Sequence, residues 1–205
     1  MKKIIITIII IIGIVGVYWY SAQAAIVIVD RYLPAQNSQD NFNTVSKGGQ
    51  TFTASQNATI TSASFQLEKI GSPPGTTMTA KLYTITGTYG STAVPNTLLA
   101  TSDTVNISTL TTSYATTTFT FSGANQVSLT SGTQYAIELN SQASNDGGNV
   151  VVMALRSSAS HGGNYFDNLG GSYTTFSGFD ALFEVLGSDG AGGSVSTVSD
   201  LVLFE

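Results

Sequence analysis

The sequence predicts an all-β fold, an antiparallel jelly-roll-like β-sandwich preceded by an N-terminal hydrophobic leader helix. Three observations carry that expectation. First, charged residues make up 9% of the 205-residue chain while 42% are hydrophobic, against roughly 25% charged in an average soluble protein. The polar surface must then be built from Thr, Ser, Asn, Gln and Gly, short side chains that wet a pleated sheet; Thr, being β-branched, suits it best. Second, apolar and polar residues alternate with the two-residue period of strands. Third, those runs are short and bounded by Gly, Pro and Asn clusters, the spacing of a sandwich or barrel.

The leader comes first in the chain. "MKKIIITIIIIIGIVGVYWYSAQA" has a basic start, an apolar run from Ile4 to Val17, and a small-x-small ending at Ala22-Gln23-Ala24. That is the layout of a secretory signal peptide cut after Ala24. The rival is an uncleaved N-terminal membrane anchor, since Tyr18, Trp19 and Tyr20 extend the run to about the 17 residues that a bilayer span needs. Either way the remainder is exported. The expected organisation is 1–24 leader, 25–187 sandwich, and 188–205 Gly/Ser linker with a short apolar tail.

Strands are expected from "AIVIVDRY", then, after a polar loop "LPAQNSQDNFNTVSKGG", from Thr51-Phe52-Thr53 and "TITSASFQLEKI", where Ala63, Phe65 and Leu67 share a face. "GSPPG" stops that run because proline cannot donate to a ladder. "MTAKLYTITG" follows, then a loop "TYGSTAVPNT", then "LLATSDTVNI" and "YATTTFTFSG", which places Thr117, Phe119 and Phe121 together. "QYAIELN" turns Tyr135, Ile137 and Leu139 inward and Ala136 and Glu138 outward, while "NVVVMALR" reads as covered on both faces. A Gly/Asn-rich loop, "SSASHGGNYFDNLGGSYTTFSG", precedes "FDALFEVLG", in which Phe179, Ala181, Phe183 and Val185 alternate against Asp180, Leu182 and Glu184. The only tryptophan, Trp19, lies in the leader, so the core tryptophan of an immunoglobulin sandwich is missing and a jelly roll is preferred.

These same runs, "GGQTFTA", "ATITSASFQLEKIGSPPGTTMTAKLYTITG", "LLATSDTVNISTLTTSYATTTFTFSG" and "VSLTSGTQYAIELN", resemble choice-of-anchor R type domains from about Val27 to Gly187. The resemblance implies an extracellular β-sandwich of bacterial, archaeal or phage-associated surface proteins, joined to variable anchoring devices. It implies no catalytic residues and no particular ligand.

Composition narrows the partners. The net charge is −5 and two of the seven basic residues, Lys2 and Lys3, sit in the leader. With no basic cluster elsewhere, a nucleic-acid partner is not expected. Cysteine is absent, which excludes disulfides and thiolate chemistry; a chain this long buries enough surface to fold without staples.

Candidate chemistry is sparse. His161 is the sole histidine; with Ser160 and Asp167 it would make a nucleophile–base–acid set, but no catalytic motif frames it, and a solvated loop histidine is the expectation. The acidic residues fall mostly at turn or outward strand positions, where they read as solvating charges. Asn145, Asp146 and Asn149 offer oxygens for a structural calcium ion, although Asn-Asp-Gly-Gly is also an ordinary turn; no other cofactor is expected. The ligand-binding candidates are Tyr165, Phe166, Asp167, Tyr173 and Phe176, since sugar rings stack on aromatic faces while Asp and Asn take the hydroxyls. The competing reading has these rings packing the open end of the sandwich. The expected function is a non-enzymatic, exported surface module for attachment or carbohydrate recognition, with glycans or cell-surface components as partners and the membrane met only through the leader. The alternative is a structural subunit of an extracellular filament or layer, self-assembling through Val195–Glu205 as a donated strand; a secreted glycan-active enzyme is the third reading.

Overall fold

The computed structural model describes residues 24–42, 46–73, 75–141, 148–158 and 160–190. The leader up to residue 23, the calcium candidates Asn145 and Asp146, and the tail Val195–Glu205 lie outside the described residues.

Strands β1 (Ile26–Tyr32), β2 (Ser38–Phe42), β3 (Ser46–Thr53), β4 (Ala58–Ile70) and β5 (Thr77–Thr86) open the fold. They are followed by β6 (Val94–Thr101), β7 (Val105–Asn106), β8 (Ala115–Thr120), β9 (Ser128–Leu129) and β10 (Gln134–Ser141). The last five are β11 (Val150–Ser157), β12 (Tyr165–Leu169), β13 (Ser172–Phe176), β14 (Phe179–Ala181) and β15 (Phe183–Ser188). They form two antiparallel sheets in a sandwich-like arrangement. The eight-stranded first sheet runs β1-β15-β4-β11-β14, with β8 and β9 on β4 and β2 on β11. The seven-stranded second sheet runs β13-β12-β3-β10-β5-β6, with β7 on β5.

Alternation does what the sequence promises in the long strands. Ala63, Phe65 and Leu67 of β4 meet Tyr135, Ile137 and Leu139 of β10 in one core, with Phe52, Phe119, Phe121 and Phe183 among its fully buried rings. Every residue from Val150 to Leu155 is buried, as a run covered on both faces requires. The outer face of the first sheet is wetted by hydroxyls and amides that pair across strands: Ser64 Oγ lies 3.0 Å from Thr118 Oγ1, and Gln66 Nε2 donates to Thr116 Oγ1 at 2.8 Å.

Several expectations need correcting. The polar "loop" after β1 contains β2 and the start of β3; the one around Pro95 contains the start of β6; and the Gly/Asn-rich segment after His161 contains the β12–β13 hairpin. "FDALFEVLG" is two strands, because β14 pairs with β11 and β15 with β1 and β4, with the break at Leu182. Leu182 and Asp180, expected outward, are buried. β15 runs on through Ser188, one residue into the expected linker.

The second sheet is strongly curled. Its two outermost strands, β6 and β13, come within 8 Å of each other, so the face turned away from the first sheet becomes a trough whose rims nearly meet. Tyr173 of β13 reaches over it to donate to Glu138 Oε2 at 2.6 Å, and Tyr83 of β5 donates to Oε1 at 3.2 Å. Glu138 is fully buried there, not the outward solvating charge that alternation predicted, and it pushes both phenols up beyond what burial alone does. Gly49 opposes Glu138 in the register, and a Cβ on it would come within 2.1 Å of the Ile137 carbonyl oxygen and 2.7 Å of the Phe166 ring. Glycine at 49 is what lets the Phe166 ring come down against the β3 backbone.

Candidate functional site

The five ligand-binding candidates do not form one surface. They occupy the β12–β13 hairpin, where successive side chains point to opposite faces. Tyr165 and Asp167, level with Gln50 and Gly48 of β3, point between the sheets, as does Phe176, which pairs with Tyr165. Phe166 and Tyr173 face the trough, edge to face with ring centroids 5.7 Å apart. Phe166 and Tyr165 are both buried, so neither is an exposed stacking platform.

The inward group acquires partners that sequence reasoning had not assembled. Asp40 of β2 lies opposite Met153 and hence faces inward from the first sheet. It accepts a short hydrogen bond from the Tyr165 hydroxyl. Gly48 leaves room for that hydroxyl, since a Cβ there would sit 2.5 Å from it. Asp40, Asp167, Tyr165, Leu155, Phe176 and Phe179, with Ser38 and Gln39, line a cavity of about 210 Å³ between β2 of the first sheet and the β12–β13 hairpin of the second. Two carboxylates, one from each sheet, thus enter a pocket walled by aromatic rings. The signal for Asp40 was present: Phe42, two residues on, is a core residue, and the two-residue period puts Asp40 on its face. Larger cavities exist, of about 460 Å³ beside Asp189 and about 290 Å³ beside Tyr114, but neither brings two carboxylates together.

The electrostatics of the pocket are uncompensated. Asp167 is 6% exposed, and among the described residues its Oδ1 has no hydrogen-bond partner. Desolvation, and then the Asp40 charge, raise its carboxyl above the ordinary aspartate range. Tyr165 is raised by burial and by the same Asp40.

His161 belongs to a separate network, and it is not the solvated loop residue expected. Its side chain is 9% exposed. Gly163 N–H donates to Nδ1 at 3.1 Å, which leaves the proton on Nε2 to bond Asp30 Oδ2 at 3.2 Å. Gln50 donates to Asp180 Oδ1 at 2.6 Å and accepts from Ala181 N–H at 2.9 Å; the His161 amide donates to Asp180 Oδ2 at 3.1 Å. The ring packs edge-on against Phe183, with centroids 5.3 Å apart. The acid partner is Asp30 and not Asp167, and Ser160 is engaged through its backbone N–H with the Tyr32 hydroxyl. With both ring nitrogens occupied by structural partners, this cluster braces the two sheets. Asn149, the calcium candidate within the described residues, uses its Oδ1 to accept from Ser72 N–H at 2.8 Å.

Two buried aspartates make stability depend on pH. Burial raises Asp180 as it does Asp167, so the native state holds protons more tightly than the unfolded chain. The resulting stabilisation is complete below the unfolded-state value and is lost as pH rises through the folded-state value. The contribution of these two groups to the thermal midpoint is therefore expected to grow as pH falls through their raised folded-state values. Asp167→Asn should raise the neutral-pH midpoint and flatten that slope; calorimetry at stepped pH checks both, and a lowered midpoint in the variant would contradict the assignment.

No protein-family model matches the chain, and no curated protein matches it.

Proposed function

We propose that the chain is an exported, non-enzymatic β-sandwich module of a cell surface, used for attachment or carbohydrate recognition, with the Asp40–Asp167 pocket as its binding site. The observation that carries the reading is the pocket itself: aromatic walls for the apolar face of a ring, and carboxylates to accept hydrogen bonds from hydroxyls. The leader pattern, the low charge and the resemblance to choice-of-anchor R domains support export and surface display. The sandwich is read as jelly-roll-like. Supporting that, β1-β15-β4-β8 face β3-β10-β5-β6, so the first strand pairs with the last and each sheet nests strands from both halves of the chain.

A glycan array probed with the full chain tests the function. Binding is expected, and Phe176→Ala or Phe179→Ala should weaken it about tenfold by removing a stacking wall. Absence of binding to every glycan would overturn recognition; hydrolysis of a bound glycan would replace it with catalysis.

Self-assembly by a donated strand is the second reading, favoured by the exposed Ile26 and Ile28 on the edge strand β1. Part of that edge is already closed, however: Gln56 Nε2 donates to the Ile28 carbonyl at 2.9 Å and Ser55 N–H to the Val29 carbonyl at 3.0 Å.

A further inference from the structure

The pocket's charge says more than that something polar enters it. Asp40 projects from one sheet and Asp167 from the other, and none of the residues lining the cavity is Lys or Arg. The Tyr165 hydroxyl donates to Asp40, so that carboxylate is held and oriented within the protein. Asp167 is treated differently: it is more than nine-tenths buried, it lines the same cavity, and its Oδ1 has no hydrogen-bond partner among the described residues. A buried anion beside a second anion is costly to keep unless a cation completes it. The rest of the wall is Tyr165, Leu155, Phe176 and Phe179 with Ser38 and Gln39 of β2; Gln39 Oε1 already accepts from the Tyr114 hydroxyl, so the side chains offer too few free oxygens to a hard metal ion that needs about six or more. An organic cation suits both halves of the lining, since a ring or alkyl part meets the apolar wall while the aromatic faces also favour positive charge. At about 210 Å³, the cavity holds roughly the volume of seven waters, space for a single ring such as the terminal unit of an oligomer.

We infer that this pocket selects a ligand bearing a protonated amine, an amino-sugar unit whose ammonium sits between Asp40 and Asp167 while its ring packs on the phenylalanines. The inference rests on the carbohydrate reading above and names the chemical class within it. It also accounts for the stored cost at Asp167: the missing partner arrives with the ligand.

The test compares three oligosaccharides of equal length against the full chain by calorimetric titration at neutral pH: a glucosamine oligomer, its N-acetylated counterpart, and a glucose oligomer. The glucosamine oligomer is expected to bind at least about tenfold more tightly than either neutral one. Asp167→Asn should abolish that preference while leaving the unliganded thermal midpoint equal or higher, so the loss is not unfolding. Asp103→Asn, which neutralises an exposed carboxylate outside the cavity lining, should keep it. Equal binding of all three oligomers would overturn the amine assignment and leave carbohydrate recognition standing. An amine preference that survives in Asp167→Asn would also overturn it, because the attraction would then come from the acidic surface at large. No binding of any oligomer would remove both readings.

Discussion

Gln50→Leu is expected to destabilise the sandwich by about 3–5 kcal/mol, a large part of the roughly 5–15 kcal/mol that holds a domain together. Gln50 is fully buried and bridges the two sheets. Its amide nitrogen donates to Asp180 and its amide oxygen accepts from Ala181 N–H. Leucine fills the same space and removes both bonds, leaving a buried carboxylate short of a donor and a buried N–H without an acceptor. Because Gln50 holds the Asp180 carboxyl down against its burial, the variant should raise that carboxyl further and recover part of its stability in acid. Urea unfolding at neutral and mildly acidic pH measures both effects. The double variant with Asp180→Leu should lose less than the two single losses added, since the charge left stranded is gone. A neutral-pH loss under about 1 kcal/mol would mean that water replaces Gln50, and the brace described here would not exist.

Gly49→Ala should cost about 3 kcal/mol, the top of the usual range for overpacking, although the side chain added is only a methyl group. That methyl would collide with a backbone oxygen at 2.1 Å and with the Phe166 ring at 2.7 Å. Neither gives way cheaply, as the oxygen belongs to the β3–β10 ladder and the ring is pinned under Tyr173. The expected outcome is separation of β3 from β10 and exposure of Glu138 to water, visible as lost amide protection in hydrogen exchange across both strands. Gly178→Ala is the matched control, with nothing within 4 Å of the added atom, and should change stability by no more than about 0.5 kcal/mol.

How much of this was legible beforehand depends on side-chain chemistry. β4, β10 and β11 declare themselves because Ala63, Phe65, Leu67 and their counterparts keep strict alternation or continuous burial. β2 does not: "SQDNF" is polar at four of its five positions, and only Phe42 reports a buried face. β12 and β13 lie among glycines and asparagines, so the aromatic residues there were assigned to a loop. Once the hairpin is recognised, period two separates Tyr165 from Phe166 at once.

The buried acids were hidden for a different reason. Alternation gives the face a residue points to but not what lies above that face. Glu138 points outward as expected and is covered because the sheet curls until Tyr173, three strands away in the order, passes over it. Asp40 and Asp167 meet only because β2 joins the first sheet and β12 the second. Likewise, the Asp30 that accepts the His161 Nε2–H hydrogen bond is 131 positions distant, and no local motif encodes such a meeting.

The pairing of first strand with last has a mechanical corollary. The Asp189 amide donates to the Ala25 carbonyl at 3.1 Å, and the Ala25 amide returns a bond to Asp189 Oδ1 at 3.1 Å, so the chain enters and leaves at one corner. Tension between those two points would peel β1 from β15 rung by rung instead of loading all the rungs together, which makes the corner a low-force release. Adjacent ends also allow the whole sandwich to be spliced into an exposed loop of another protein without stretching its host.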